Sequence, residues 1–179
     1  PNNTLEALHT LVNAAWLAEV KAGTLDWVRA AEAFLELANL AATWEQRDLA
    51  LYFHAARCVM IDEYGHQSEE AIKALDAAEA ALGSDAIISR ERAKVHFRNR
   101  RFAESLSVVE GDLSDLGKHD PLERIFLCRE TAISAANVDD WAKCRTWLQA
   151  GLEASLGVRG NRLRPMLIGL KADHALAAY

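Results

Sequence analysis

Between Asn2 and Asp120 the sequence contains no proline. Because proline disrupts the interior of an α-helix, this long stretch permits a succession of uninterrupted helices. Alanine and leucine, which favour helix, are abundant, and no segment shows the sustained alternation expected of a strand. The sequence therefore predicts an all-α fold.

Glycines and short polar residues divide the chain into helices of ordinary length. The glycines predicted to end helices are Gly23, Gly65, Gly83 and Gly117, and the residues predicted to cap the following helices are Thr24, Ser68, Ser84 and Asp120. The predicted helices, about nine in number, cover residues 4–22, 25–41, 44–64, 67–82, 85–99, 102–116, 121–137, 140–155 and 162–178. Short joins between consecutive helices favour antiparallel hairpins. A single domain over 1–179 would then contain hairpins at about 4–41, 44–82, 85–116 and 121–155, followed by the final helix.

Small residues recur at one place in the second helix of each predicted hairpin, at intervals of 41, 34 and 39 residues. They are Ala30, Ala71, Ser105 and Cys144. Twelve residues before them, in the first helices, stand Ala18, Val59, Ala93 and Ala132. Four residues after them stand the large apolar residues Phe34, Leu75, Val109 and Leu148. Facing small residues would let two helices approach closely, and the large ones would seal each hairpin against its neighbour.

This layout resembles the tetratricopeptide family, whose repeats of about 34 residues consist of two helices that cross at small residues. The segments RFAESL at 101–106 and DWAKC at 140–144 are similar to the family's opening of the second helix. The first helices depart from the family, because none keeps its usual Trp, Leu-Gly and Tyr together. The resemblance implies a right-handed superhelical array with a concave groove lined by first helices. An ordinary helical bundle is the alternative.

Charge is distributed unevenly along the chain. Residues 1–85 carry 5 Lys or Arg and 14 Asp or Glu, a net −9, whereas the remainder carries +3 within a total of −6. No apolar run approaches the length of a membrane span, and no signal peptide precedes the first helix. We therefore expect a cytoplasmic protein, and because an initiator Met is absent, a fragment of a longer one. Cys58, Cys128 and Cys144 fit no zinc spacing and are expected to be reduced core residues.

Motifs for catalysis are weak. Neither a phosphate-binding glycine loop nor a His-Glu-x-x-His sequence occurs, so no cofactor or metal is predicted. His54, Cys58 and Asp62 share a helix face at i, i+4 and i+8, but side chains on successive turns point in parallel, whereas a catalytic triad must converge. We interpret them as a core cysteine with flanking polar groups. Trp27 and Trp141 occupy equivalent repeat positions, which indicates packing rather than a ligand cage.

The basic run at 90–101 is the strongest candidate for a binding surface. Arg90, Lys94 and Arg98 fall on one helix face at i, i+4 and i+8, beside Phe97. The resemblance would place this face on the concave groove, together with residues from the neighbouring first helices: Met60, Tyr64, Phe126, Arg129 and Asn137. The run is open to three interpretations: a solvated face, a site for an acidic or C-terminal peptide, or a contact for nucleic-acid phosphates. The acidic composition disfavours the last.

These observations predict a non-catalytic module that binds a peptide or protein, with an acidic partner favoured by the groove cations. One alternative is a ligand- or partner-sensing arm of a signal-transducing ATPase or defence protein. Others are a helical repeat that contacts nucleic acid and a small enzyme that uses His54 and Cys58.

Overall fold

The structure is a computed structural model of the 179-residue chain. It describes residues 2–110 and 121–156, together with Gly169 and Asp173. Within these ranges the chain forms helices and no strand, as the sequence predicts. The helices are α1 (Asn2–Ala22), α2 (Trp27–Thr43), α3 (Arg47–Val59), continued by a π-helical segment (Met60–Tyr64), α4 (Ser68–Leu82), α5 (Ala86–Arg98), α6 (Phe102–Glu110), α7 (Pro121–Asn137) and α8 (Trp141–Ser155).

These bounds agree closely with the predicted helices over the described residues. Residues 111–116 of the sixth predicted helix, the predicted stop Gly117 and cap Asp120, and most of the final predicted helix, at 162–178, lie outside the described residues. None of the helices in those ranges is long and apolar enough to cross a membrane. The chain divides into two compact units, residues 1–91 and residues 92–179, and the division falls within α5.

Aspartates, rather than the predicted Thr24 and Ser84, cap the N-termini of α2 and α5. The predicted cap Ser68 is instead the first residue of α4, which has no side-chain cap bond. Asp26 accepts a hydrogen bond of 3.1 Å from the backbone N–H of Arg29, and Asp85 accepts one of 3.0 Å from Ile87. A carboxylate accepts these bonds with a full negative charge, which the helix N-terminus stabilises further.

In the first unit, α2 packs on α3 and α3 packs on α4, with reversal of direction at each step. Gly65, which follows the π-helical segment, lies against the indole of Trp27 at the start of α2. Arg47, at the start of α3, donates hydrogen bonds of 3.1 Å and 3.3 Å to the carbonyl oxygens of Leu82 and Ser84, just at and beyond the end of α4. Each contact joins one helix's beginning to the other's end, so both pairs are antiparallel.

Helix α1 runs alongside α3 in the same direction. The ring of His9 lies edge-on to Tyr52, with the centroids 4.6 Å apart, and that of Trp16 lies edge-on to Tyr64 at 5.9 Å. Ala18, predicted to face Ala30 at a close helix crossing, is instead exposed. The prediction fails in this hairpin because α1 turns its aromatic face, not its alanine face, toward its neighbours.

The four large apolar residues predicted to seal the hairpins are all buried. They are Phe34, Leu75, Val109 and Leu148. Burial is less consistent seven residues before these positions, where Trp27 is half-buried and Trp141 is 48% exposed. Trp141 therefore packs with only part of its surface, contrary to the prediction of a packing role. Trp141 is the first residue of α8, where a side chain lies at the rim of the helix interface.

In the second unit, α7 packs against both α6 and α8. The predicted pairing of small residues is confirmed between α5 and α6, where the Ser105 hydroxyl donates a hydrogen bond of 3.0 Å to the carbonyl oxygen of Ala93. The Ser134 hydroxyl of α7 lies 3.4 Å from that of Ser105. Ala132 and Cys144, the predicted small residues of α7 and α8, are also both buried.

Candidate partner-binding surfaces

Helix α5 has a buried face and an accessible face, as its sequence predicts. Ile88 and Val95 are fully buried. Lys94 and Phe97 are half-buried and Arg98 is exposed. We call these last three residues the basic face of α5; all three belong to the second unit. Side chains three and four residues apart lie on one side of a helix, so the two cations and the aromatic ring are neighbours.

Arg90 does not contribute to an accessible basic surface, contrary to the prediction. Its side chain is 12% exposed, and its guanidinium nitrogens Nε and Nη2 each lie 3.1 Å from Oε1 of Glu91. The Glu91 side chain is only 4% exposed. Burial of a lone cation is costly, and the adjacent carboxylate offsets that cost. Arg90 therefore forms an ion pair inside the first unit rather than presenting its charge to a partner.

Phe97 is partly engaged within its own unit. Its ring packs edge-on against Phe102 at the start of α6, with centroids 5.9 Å apart and an interplanar angle of 68°. Aromatic pairs favour this geometry because the positive ring edge meets a negative face. The contact holds Phe97 in place beside Lys94 and Arg98 and leaves part of its ring accessible.

Helix α7 carries a second accessible strip, which we call the α7 stripe: Phe126, Arg129, Ile133 and Asn137. Phe126 is 46% exposed, whereas its neighbours Ile125 and Leu127 are buried. The amide of Asn137 donates a hydrogen bond of 2.8 Å to the carbonyl oxygen of Ile133, which leaves its side-chain oxygen as an acceptor. The stripe therefore offers one large apolar side chain at one end and a polar amide at the other.

Arg129 has an acidic partner inside the second unit. Its Nε lies 3.2 Å from Oδ2 of Asp173, and both side chains are partly exposed, at 41% and 35%. Pairs exposed to this degree contribute little to stability because water screens them. The guanidinium nevertheless offers less positive charge to a partner than the sequence alone suggests.

An apolar recess of about 220 Å³ opens between α7 and α8. Its wall includes Ile133 of the α7 stripe, the exposed ring of Trp141, and Asp173. Sequence reasoning missed this recess because it assigned Trp141 to packing. The available signal was its place directly after the capping residue Asp140, whose side chain accepts a hydrogen bond from Lys143.

The remaining predicted groove residues belong to the first unit. Met60 is 1% exposed and cannot serve as an exposed apolar contact, so that part of the prediction is wrong. Met60 lies seven residues after the fully buried Phe53, on the same face of α3, so its side chain points into the interior. The next two residues, Ile61 and Asp62 of the π-helical segment, are buried as well. Tyr64 is half-buried against Trp16.

His54, Cys58 and Asp62 do not gain catalytic character from the fold. Cys58 is fully buried, and Asp62 is 6% exposed. Burial, reinforced by Arg57, lowers the pKa of His54 below its usual value. Over the described ranges, no three His, Cys, Asp or Glu side chains are grouped to hold a metal ion.

All three cysteines are free and buried, as predicted. Desolvation raises the pKa of the Cys128 thiol to about 11 and also raises that of Cys144. Since the thiolate is the reactive form, these two side chains act as packing groups.

Comparison of the chain with protein-family models, curated proteins and solved structures finds no match.

Proposed function

We propose that the chain is a non-catalytic interaction module of tetratricopeptide-like helix hairpins. Its second unit would bind an acidic peptide segment of a partner protein through the basic face of α5 and the α7 stripe. Three observations support the repeat arrangement: successive helices of the first unit are antiparallel, α1 and α3 run in the same direction, and Ala93 meets Ser105 at a close crossing. In such an array, first helices such as α5 and α7 line the concave side.

The observation that carries the proposal is the exposure of Phe126 on a helix whose other apolar residues are mostly buried. Phe126, 46% exposed, and the partly accessible Ile133 lie seven residues apart on one side of α7, so the ring belongs to an apolar strip, and aromatic rings are frequent anchors at interfaces. Lys94 and Arg98 would attract carboxylates, while Asn137 would bind a backbone group. The partner would therefore combine acidic residues with at least one aromatic or aliphatic side chain.

Selection of displayed random peptides against the whole chain tests this composition. We expect acidic peptides with an apolar anchor to be enriched. Charge reversal of both cations (Lys94→Glu with Arg98→Glu) should weaken binding of a selected peptide by at least about tenfold, because like charges are brought together. Loss of the ring in Phe126→Ala should weaken it by at least about fivefold. Both variants should unfold at nearly the wild-type temperature.

Two matched controls keep the test specific. Arg145→Glu reverses an exposed charge on α8, and Val138→Ala trims a residue that is 39% exposed just after α7. Neither should change the affinity. Unaltered binding in both surface variants, or equal losses in the controls, would overturn the assignment of the surface.

Two other functions make different predictions. A sensing arm of a regulatory ATPase requires a nucleotide-binding domain encoded upstream of Pro1, which the sequence of the full gene would reveal. A nucleic-acid contact requires that a short single-stranded oligonucleotide compete with the selected peptide, with an affinity that falls steeply as salt is added.

A further inference from the structure

The first unit contains a cavity of about 170 Å³, distinct from the surfaces described above. Three of its walls are aromatic: Trp16 from α1, Phe34 from α2 and Tyr52 from α3. Met60 and Ala56 add further apolar surface. A cavity of about 150 Å³ is enough to hold a benzene ring, so this one accommodates a single six-membered ring with a small substituent.

Polar groups are confined to a small part of the wall. Arg90 and Glu91 line it as an ion pair, in which each charge already faces its opposite. The Nε1 atom of Trp16 is buried, and the described residues offer it no hydrogen-bond acceptor. A buried N–H without an acceptor costs free energy, which a ligand oxygen would recover. Asn13 is the other polar residue of the wall, and its side-chain nitrogen is paired with the ring of His9. The cavity thus combines an apolar space with one buried indole donor that has no acceptor among the described residues.

The backbone beside the cavity is also irregular. Met60, in its wall, is the first residue of the π-helical segment, and the backbone N–H of Gly65 bonds to its carbonyl oxygen at 3.0 Å. Short π-helical insertions cost stability relative to α-helix and occur frequently at functional sites. Here the irregular segment begins at a residue of the cavity wall.

We propose that this cavity binds a small, neutral, aromatic molecule that carries one carbonyl or hydroxyl oxygen. The ring lies among Trp16, Phe34 and Tyr52, and the oxygen accepts the hydrogen bond of the Trp16 indole. Charged ligands are disfavoured. Glu91 would repel a carboxylate and Arg90 would repel an ammonium group, while the attracting member of the pair is already engaged with its neighbour. The proposal is independent of the peptide surface in the second unit.

Titration of the ¹⁵N-labelled chain with acetophenone, followed by NMR, tests the proposal directly. Each of the five tryptophans has one indole N–H, and the signal that disappears in Trp16→Phe is that of Trp16. We expect a saturable shift of this signal and none for Trp141. Benzoate and benzylamine, of similar size but charged, should bind more weakly. A Trp16 signal that acetophenone does not shift would overturn the site.

Two substitutions separate the cavity from binding elsewhere. Ala56→Leu fills the space and should abolish binding, while Ala42→Leu on exposed α2 surface should not. Trp16→Phe removes the donor but keeps an aromatic wall. It should weaken acetophenone by about fivefold, the value of one net hydrogen bond, and leave toluene unaffected. Equal losses for acetophenone and toluene, or undiminished binding to Ala56→Leu, would refute the proposal.

Discussion

The hydroxyl of Ser105 donates a hydrogen bond of 3.0 Å to the carbonyl oxygen of Ala93, and both residues are buried where α5 meets α6. The buried hydroxyl therefore has a hydrogen-bond acceptor at a crossing where the two helices leave room only for a small side chain. Ser105 has a close counterpart on the same helix in Ser107, which is exposed and bonds to the carbonyl of Glu104 within its own helix.

Replacement of Ser105 by valine should destabilise the second unit by about 1–3 kcal/mol, because it removes the hydrogen bond and overfills the crossing. The same change at Ser107 adds a methyl group to open surface and should cost about 0.5 kcal/mol or less. Urea-induced unfolding measures both values. Equal free energies for the two variants would show that the crossing is not tightly packed.

A second prediction concerns Gly65, whose φ of −86° any residue can adopt. A Cβ atom there would lie 2.9 Å from a ring carbon of Trp27 and 2.7 Å from the carbonyl oxygen of Ile61. Gly65→Ala should therefore destabilise the first unit by about 1–3 kcal/mol. In a Trp27→Leu background the cost should be smaller, because the ring is gone.

Gly83 provides the control for this double-mutant cycle. Its φ is +81° and no atom lies within 4 Å of where a Cβ atom would stand, so Gly83→Ala is strained by its backbone alone. Trp27→Leu should leave that cost unchanged. A penalty at Gly65 that persists without the indole would assign the strain to the carbonyl of Ile61.

The buried Arg90–Glu91 pair should behave differently from a surface pair. Arg90→Met leaves a carboxylate that is 4% exposed without its guanidinium, and should destabilise the first unit by about 3 kcal/mol. Lys73→Met breaks the exposed pair with Glu70, 2.7 Å long, and should leave the free energy of unfolding nearly unchanged. Similar results from the two variants in thermal unfolding would contradict the burial of Arg90.

His54 should make the fold sensitive to acid. Burial lowers its pKa in the folded state below the ordinary value of 6.5, so the unfolded chain takes up a proton first as the pH falls. Stability is therefore lost progressively from about pH 6.5 downward until the folded form is also protonated. His54→Gln should lose less thermal stability between pH 7.5 and pH 5 than the wild type. His66→Gln, a change at an exposed residue, should follow the wild-type profile.

The helices were predictable because their ends are marked locally. Pro121 begins α7, Gly83 follows α4 with a left-handed φ, and the positions of Leu75 and Leu148 are fixed by helical spacing from small residues. These signals act within a few residues, so a sequence displays them without knowledge of the fold.

The side-chain environments were less predictable because they depend on neighbours distant in sequence or on local geometry that spacing does not encode. In the sequence Arg90 is one more cation of a basic run. In the structure it lies beside residues of α1 and α3 and pairs with Glu91. Met60 shares the face of α3 that carries the fully buried Phe53, and only contact with neighbouring helices decides that this face is interior rather than groove. Phe126 and Arg98 lie on faces that remain accessible, as predicted.

Arg47 has a consequence for how the first unit opens. Its guanidinium bonds to the carbonyl oxygens of Leu82 and Ser84, and to the carboxylate of Asp85 at 2.9 Å. One side chain thus fastens the first turn of α3 to the last turn of α4 and to the cap of α5. Because all three bonds come from one guanidinium, displacement of Arg47 breaks them together, so the backbone amides at these ends should exchange with solvent deuterium as one cooperative group rather than at three independent rates.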